Sequence, residues 1–244
     1  MPWELIQHHL SSVESTQKEI KKHLSSVQAG QIWALSADEQ RCGYGRQGKS
    51  WVHIPQSNLC VSFLFLFPKS FLDASSTTQI FTLSLCKYLE SLGFAPKIKW
   101  PNDLLLCEHK VAGIIAELIE RDDKYYACIV GVGINVNNEE KDFALLKQKA
   151  ASLRMISGKK WDLSFLLNGL VHQVKKDVEV HVKQGFVAAK EAFLQRCSSL
   201  GREITVSSLS EKWTGRMEGL EDDGALQLLL KSGKKKIFHS GELI

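Results

Sequence analysis

Three glycines and two cations crowd the segment Gly43-Tyr-Gly-Arg-Gln-Gly-Lys-Ser50, with Arg41 just ahead of it. Glycine backbone bends where other residues are barred, so Arg46 and Lys49, three positions apart, can close around a phosphate or a carboxylate. The spelling also satisfies two nucleotide-binding patterns, GxxxxGK[ST] and GxGxxG. Both require a strand directly before the loop and a helix directly after it, its N-terminus facing the phosphates. Here the polar run Asp38-Glu-Gln-Arg41 separates the loop from the apolar stretch Ile32–Ala37, and Ser50 leads into Trp-Val-His-Ile-Pro55 and a further strand. A P-loop hydrolase and a dinucleotide fold are therefore set aside. An anion site remains, against the plainer reading of a glycine-rich surface turn.

Four other segments carry groups able to do chemistry. Lys99-Trp-Pro-Asn-Asp103 makes a rigid turn before the apolar strand Leu104–Leu106, so Asn102 and Asp103 stand at a strand mouth, either for recognition or as an Asx turn. Lys110 lies in a hairpin ahead of Val111-Ala-Gly-Ile-Ile-Ala116, as a solvated turn residue or as a cation facing a phosphate. Gly131-Val-Gly-Ile-Asn135 sets two glycines inside a strong strand, which weakens it unless a ligand or another backbone approaches closely; a β-bulge is the alternative. Ser15-Thr-Gln17 reads as the N-cap of a short helix, and Trp51 as a core residue.

The elements that must hold these groups follow from periodicity. Apolar residues at helical spacing predict a helix over Thr77–Leu92 with Gly93 as its C-cap. A second runs from Leu163 to Gln184 between Asp162 and Gly185, and a third over Val187–Arg196. Leu104–Cys107, Val111–Ile119 and Tyr125–Val136, joined by short polar turns, read as an antiparallel meander, which argues against a parallel Rossmann sheet. After Arg196 the pattern changes to short segments, 203–206, 212–217, 225–230 and 235–238, predicting a small all-β module packed on the first domain.

Composition bounds the class. At 244 residues, 44% hydrophobic and 24% charged, the chain suits one large domain with a small satellite and excludes fibrous and disordered proteins. Lys and Arg total 31 against 27 Asp and Glu, too even for a general nucleic-acid binder, and the C-terminal module from Ser198 balances its basic and acidic residues. The longest apolar run, Leu59–Phe67, is far short of the roughly 20 residues of a membrane span and reads as a buried strand. The N-terminal residues lack the charged and apolar regions of a secretory signal, so a cytoplasmic protein is expected. The 6 cysteines show no zinc spacing and are expected to be reduced core fillers.

Taken in order, Ser15-Thr-Gln17, Glu39-Gln-Arg-Cys-Gly-Tyr-Gly-Arg-Gln-Gly-Lys-Ser-Trp51, Lys99-Trp-Pro-Asn-Asp103, Lys110-Val-Ala-Gly113 and Gly131-Val-Gly-Ile-Asn135 resemble the biotin protein ligases over nearly the whole chain. The resemblance implies an α+β fold: a mixed, largely antiparallel sheet flanked by helices (a class II synthetase-like catalytic domain, residues 1–196), then a small SH3-like β-barrel, residues 197–244. It implies ATP-dependent formation of biotinyl-5′-AMP, with Mg2+, then transfer of the biotinyl group to a lysine of a biotin carboxyl carrier domain of a carboxylase such as acetyl-CoA carboxylase. Carried over by position, Lys110, Arg46 and Asp103 are the catalytic candidates. Ser15, Thr16, Gln40, Gly43, Tyr44, Gly45, Lys110 and Gly113 would hold biotin. Arg46, Lys49, Trp51, Asn102 and Asn135 would hold the nucleotide, and Asp103 a Mg2+. Asp103 would also help deprotonate the acceptor lysine, and the glycine loop would be mobile when empty and close over the intermediate.

Three positions depart from the family pattern: Tyr44 stands where many members carry a basic residue, Gln17 where they carry Asn, and Lys49 where they carry Arg. Because Ser15-Thr16 comes so early, no N-terminal DNA-binding domain, and hence no operator binding, is expected. The rival readings are lipoate protein ligase, which shares the adenylation chemistry, and a non-catalytic biotin sensor, for which erosion of Lys110, Arg46 or Asp103 would be expected. All three residues are present.

Overall fold

The computed structural model describes residues 3–146, 148–208 and 211–244. A seven-stranded sheet runs in the order β1-β2-β3-β7-β6-β5-β4. Its strands are β1 (Glu4–Val13), β2 (Gln31–Gln40), β3 (Asn58–Pro68), β4 (Lys97–Lys99), β5 (Asp103–Leu106), β6 (His109–Glu120) and β7 (Tyr125–Asn135). The β5–β6–β7 meander is antiparallel as expected. The fold is α+β and the sheet mixed, because β1 pairs with β2 in parallel through a crossover carrying α1 (Thr16–Ile20). Strand β1 escapes periodicity because it is an edge strand: nine of its ten residues keep contact with solvent, so backbone pairing rather than side-chain burial orders it.

The apolar run at β3 is continuous because both of its faces are covered. Val61, Phe63, Phe65 and Phe67 point to one side, where α2 (Thr77–Ser91) and, beyond the short α3 (Leu153–Ser157), α4 (Leu163–Gln184) lie, and Phe81 of α2 meets Phe63 edge-on at 5.1 Å between ring centroids. Leu64 and Leu66 point to the other, with Ile20 of α1, Leu35, Ala127 and Ile129. Burial of each such side chain stabilises by about 1.5–3 kcal/mol, so the central strands anchor whatever their edges and ends present. Asp162 caps α4, its carboxylate accepting from the Phe165 N–H at 2.9 Å, and Gly93 and Gly185 close their helices at φ 90 and φ 71. The third helix, α5, is shorter than expected, spanning Val187–Leu194.

The second, antiparallel sheet has the order β11-β10-β9-β8-β12 and is the expected SH3-like module: β8 (Glu203–Ser208), β9 (Glu211–Leu220), β10 (Leu226–Leu230), β11 (Lys235–Phe238) and β12 (Glu242–Leu243). It shares the main core through Met217, Leu220, Leu226, Leu228 and Phe238, and the Trp100 indole N–H donates to the Gly224 carbonyl at 3.2 Å. Among the cysteines, Cys60, Cys86 and Cys128 are buried as expected, whereas Cys42 and Cys107 are exposed, because both sit in polar turns at strand ends.

His181 is buried against Phe67 and Phe71, and among the described residues neither ring nitrogen has a hydrogen-bond partner. Burial lowers its pKa to about 4, against the opposing pull of backbone contacts and Asp73. A depressed histidine favours the fold above its unfolded value and loses that contribution as pH falls through the folded one. Between pH 7 and pH 4 this single group should cost about 3 kcal/mol. Denaturant unfolding should therefore show the stability difference between wild type and His181→Leu moving by that amount in the variant's favour across the window; a constant difference would exclude His181 as the acid-sensitive group.

Candidate active site

One row across the sheet builds the floor of the site. Register pairs Asp103 with Gly113, Gly113 with Gly133, and Gly133 with Cys60, and the next row in places Ile115, Gly131 and Ser62 side by side. Paired residues share a face, so three glycines leave a strip of sheet bare of side chains. Neither β3–β7 nor β6–β7 shifts register, so the glycines of β7 do not mark a bulge. What approaches them is side chain: a Cβ on Gly133 would fall 2.5 Å from the Trp51 ring, and one on Gly131 would fall 2.8 Å from Gln17 Oε1. Trp51 thus covers the strip, its buried indole N–H without a hydrogen-bond acceptor among the described residues.

A bulge does occur on the other side of the floor. Leu104 pairs with Ala112 but Leu105 pairs with Lys110, leaving Val111 as the extra residue. The bulge turns Lys110 onto the face that carries Asp103, and its ammonium meets the Asp103 carboxylate at 2.7 Å with both side chains largely buried. Periodicity gave no hint of this reorientation, since a bulge shifts alternation by one residue without a sequence marker.

The floor opens into a cavity of about 750 Å³, within the size range of small-molecule and cofactor sites. Ser15, Thr16, Gln40, Tyr44, Gly45, Arg46, Lys49, Trp51, Asn102, Asp103, Lys110, Gly113 and Asn135 all line it, so the structure gathers almost every candidate from the sequence. Gly43 stands behind the wall, where a Cβ would fall 2.3 Å from Gln40 Nε2. Ser15 occupies the N-cap position of α1 but makes no capping hydrogen bond. Gln40 accepts at Oε1 from both the N–H and the hydroxyl of Thr16, at 3.0 and 3.2 Å. Asn135 is held inward by Asn58, which donates to it at 3.1 Å, and by its own donation to Ala151 O at 3.1 Å.

Among the described residues, side chains tie the glycine loop at three points. Arg46 donates to Asn102 Oδ1 at 3.0 Å, and the Asn102 amide in turn donates to Ile114 O at 2.8 Å. Lys49 reaches Glu242 of β12 at 2.5 Å, which holds that carboxyl below its usual range, and Tyr44 donates to Glu117 at 3.0 Å. Sequence reasoning missed Glu117 and Glu242 because nothing local marks them; each becomes relevant only when distant strands meet. It also gave no role to Lys99, which lines the cavity with Arg46, Lys49 and Lys110. Four cationic side chains face two side-chain carboxylates, Asp103 and Glu242, so among the described residues the side chains of the lining carry an excess of positive charge suited to an anionic ligand.

Comparison with known proteins agrees with this geometry. Residues 10–135 match the biotin/lipoate A/B protein ligase family, and residues 199–244 match the biotin protein ligase C terminal domain. The bifunctional ligase/repressor BirA of Bacillus subtilis is 30% identical over 96% of this chain and 72% of its own length. The biotin–[acetyl-CoA-carboxylase] ligase of Paracoccus denitrificans is 30% identical over 93% of this chain and 96% of its own length. The structure of biotin protein ligase from Aquifex aeolicus in complex with biotin and ATP superposes with a TM-score of 0.83 at 31% identity, covering 98% of this chain and 97% of that one.

The close approaches make a stability prediction. Gly131→Ala and Gly133→Ala must displace Gln17 and Trp51, and overpacking of this kind costs about 1–3 kcal/mol. Gly45→Ala, whose nearest neighbour would lie at 3.6 Å, should unfold like wild type in a urea titration. Equal stability of all three variants would show that the bare strip is not required by packing.

Proposed function

The chain belongs to the biotin/lipoate A/B protein ligase family and is a biotin protein ligase, and on that premise we propose that it joins biotin to ATP as biotinyl-5′-AMP and transfers the biotinyl group to one lysine of a biotin carboxyl carrier domain. The observation that carries the reading is the Asp103–Lys110 pair at the edge of a side-chain-free floor, with Arg46 held above it by Asn102. The cavity beside the glycine strip leaves room for a fused, flat ligand head next to the Trp51 ring, and the polar pair Thr16 and Gln40 at one end offers the partners that a buried ureido group needs.

In the first step a carboxylate oxygen of biotin bonds to the α-phosphorus while the bond to pyrophosphate breaks, the leaving group taking the electron pair. Two anions must come together and charge must grow on the departing oxygen. Lys110 and Arg46, held before the ligand arrives, lower that barrier by electrostatic preorganisation and by positioning. Asp103 orients the Lys110 ammonium. In the second step the acceptor amine attacks the acyl carbon, AMP leaves, and the amine proton passes to a carboxylate in the cavity wall, a role we assign to Asp103.

Magnesium would enter with the nucleotide phosphates. Among the described residues no group of three or more His, Cys, Asp or Glu gathers to cage an ion, and Asp103 is already paired with Lys110. The family implies the metal, but both side-chain carboxylates of the lining are already paired with a lysine, Asp103 with Lys110 and Glu242 with Lys49. The acceptor reading draws support from the Paracoccus relative, whose name specifies acetyl-CoA carboxylase. Six free cysteines suit a reducing compartment, so we place the reaction in the cytoplasm, with residues 1–196 as the catalytic unit.

The test is pyrophosphate release from purified protein with ATP and magnesium, comparing biotin, lipoate and no acid. Release should require biotin and fall about 10²–10³-fold in Lys110→Ala. Asp103→Asn should slow biotinyl transfer to a carrier domain from preformed adenylate. Release driven by lipoate would reassign the substrate, and biotin binding without release would make the protein a sensor.

A further inference from the structure

Of the three ties on the glycine loop, two use cations. Arg46 is one that the adenylation reading claims for the ligand, and Lys49 lies 61% exposed in its bond to Glu242. The third is different in kind. Tyr44, one of the positions that departs from the family pattern, sends its hydroxyl to Glu117 on β6 at 3.0 Å. Glu117 is held from two further sides: Lys21 pairs with its other oxygen at 2.5 Å, and Gln17 Nε2 donates to it at 3.2 Å. Burial, then the charge and hydrogen bond of Glu117, push the Tyr44 phenol up to about 12. Burial alone would raise the Glu117 carboxyl, but the hydrogen bonds from Lys21, Gln17 and Tyr44 outweigh it and hold the group below its usual range. Donor and acceptor roles are therefore fixed at any physiological pH.

The same network continues to the ligand-facing residues. Gln17 Oε1 lies 3.0 Å from the Ser62 hydroxyl, which also lies 2.9 Å from Thr16 Oγ1, and Thr16 bonds to Gln40. Ser62 has one hydrogen for two acceptors. A ligand that engages Thr16 and Gln40 biases which acceptor receives it, and so reaches Gln17 and Glu117.

We infer that the Tyr44 hydroxyl is a latch that holds the glycine loop over the cavity, and that Glu117 is a positioning residue linking the latch through Gln17 and Ser62 to Thr16 and Gln40. The inference rests on the adenylation reading for its kinetic consequence but not for the latch itself. Where a basic loop residue would bring a further charge to the carboxylate, a tyrosine makes a hydrogen bond without one and leaves the cavity's positive charge to Arg46, Lys49, Lys99 and Lys110. Its consequence is retention: a loop held shut slows escape of ligand without entering the chemistry.

Limited trypsin digestion of the ligand-free protein tests the latch, since Arg46 and Lys49 are cleavage sites within the loop. Tyr44→Phe keeps the ring and removes one O–H; cleavage there should accelerate on the order of ten-fold at unchanged global stability. Glu117→Gln should do the same, and the double variant should be no faster than either single one. With biotin and ATP, Glu117→Gln, a change outside the cavity lining, should raise the biotin KM by a similar factor while leaving kcat for pyrophosphate release within two-fold. Wild-type cleavage in Tyr44→Phe, multiplicative effects in the double variant, or a lower kcat at unchanged KM would each overturn the latch. Failure of wild type to release pyrophosphate with biotin would instead sink the adenylation reading, while the digestion still decides the loop.

Discussion

Everything at this site depends on how closely another part of the chain can approach one face of the sheet. Gly113 and Gly133 remove side chains from adjacent strands at one height and Gly131 from the next row, and Trp51 and Gln17 descend into the space. A single methyl group at Gly133 would overlap the indole. Glycine in a strand interior is unfavourable by itself, so the cost must be offset elsewhere. The offset lies in the neighbouring residues: Ile129, Val130, Val132 and Ile134 of the same strand are almost wholly buried and hold it rigid.

That rigidity gives the charges their value. Lys110 is aimed by a bulge and Arg46 by the Asn102 carbonyl oxygen, while Asn102 itself is pinned to the backbone of β6. Cations placed in this way need little reorganisation when negative charge develops before them, which is where electrostatic catalysis gains most. The cavity draws on both domains: β5 supplies Asp103, the loop supplies Arg46 and Lys49, and β12 supplies Glu242. The shared core and the Trp100 bond to Gly224 keep those contributions in register.

The two faces of β3 divide the labour. One is a stack of phenylalanines against α2 and α4 and carries stability; the other begins as a small core under α1 and ends in Ser62 and Cys60 at the site. The polar network from Tyr44 to Gln40 crosses that second face, where α1 places Thr16 and Gln17 against the sheet with almost no exposure. Buried polar chains of this kind are stable only when each member is satisfied, and here the satisfied neighbours are also the ones that face a ligand.

Much of this was legible in the sequence. The helices over Thr77–Ser91 and Leu163–Gln184, the meander of β5, β6 and β7, and the small β module all follow from local period, caps and turns, because those signals act within a few residues. The motifs themselves, from Ser15-Thr16 to Asn135, named the residues that the cavity gathers. Three things needed the folded chain. Edge strand β1 is ordered by backbone pairing that leaves most of its side chains in contact with water. The bulge at Val111 reverses the facing of Lys110 without any residue type to announce it. Glu117 and Glu242 meet the loop across separations of 73 and 193 residues. The sequence alone determined which groups could do the chemistry, since that is a property of residue type; their common face, spacing and partners were decided only by strand register and by the approach of distant segments.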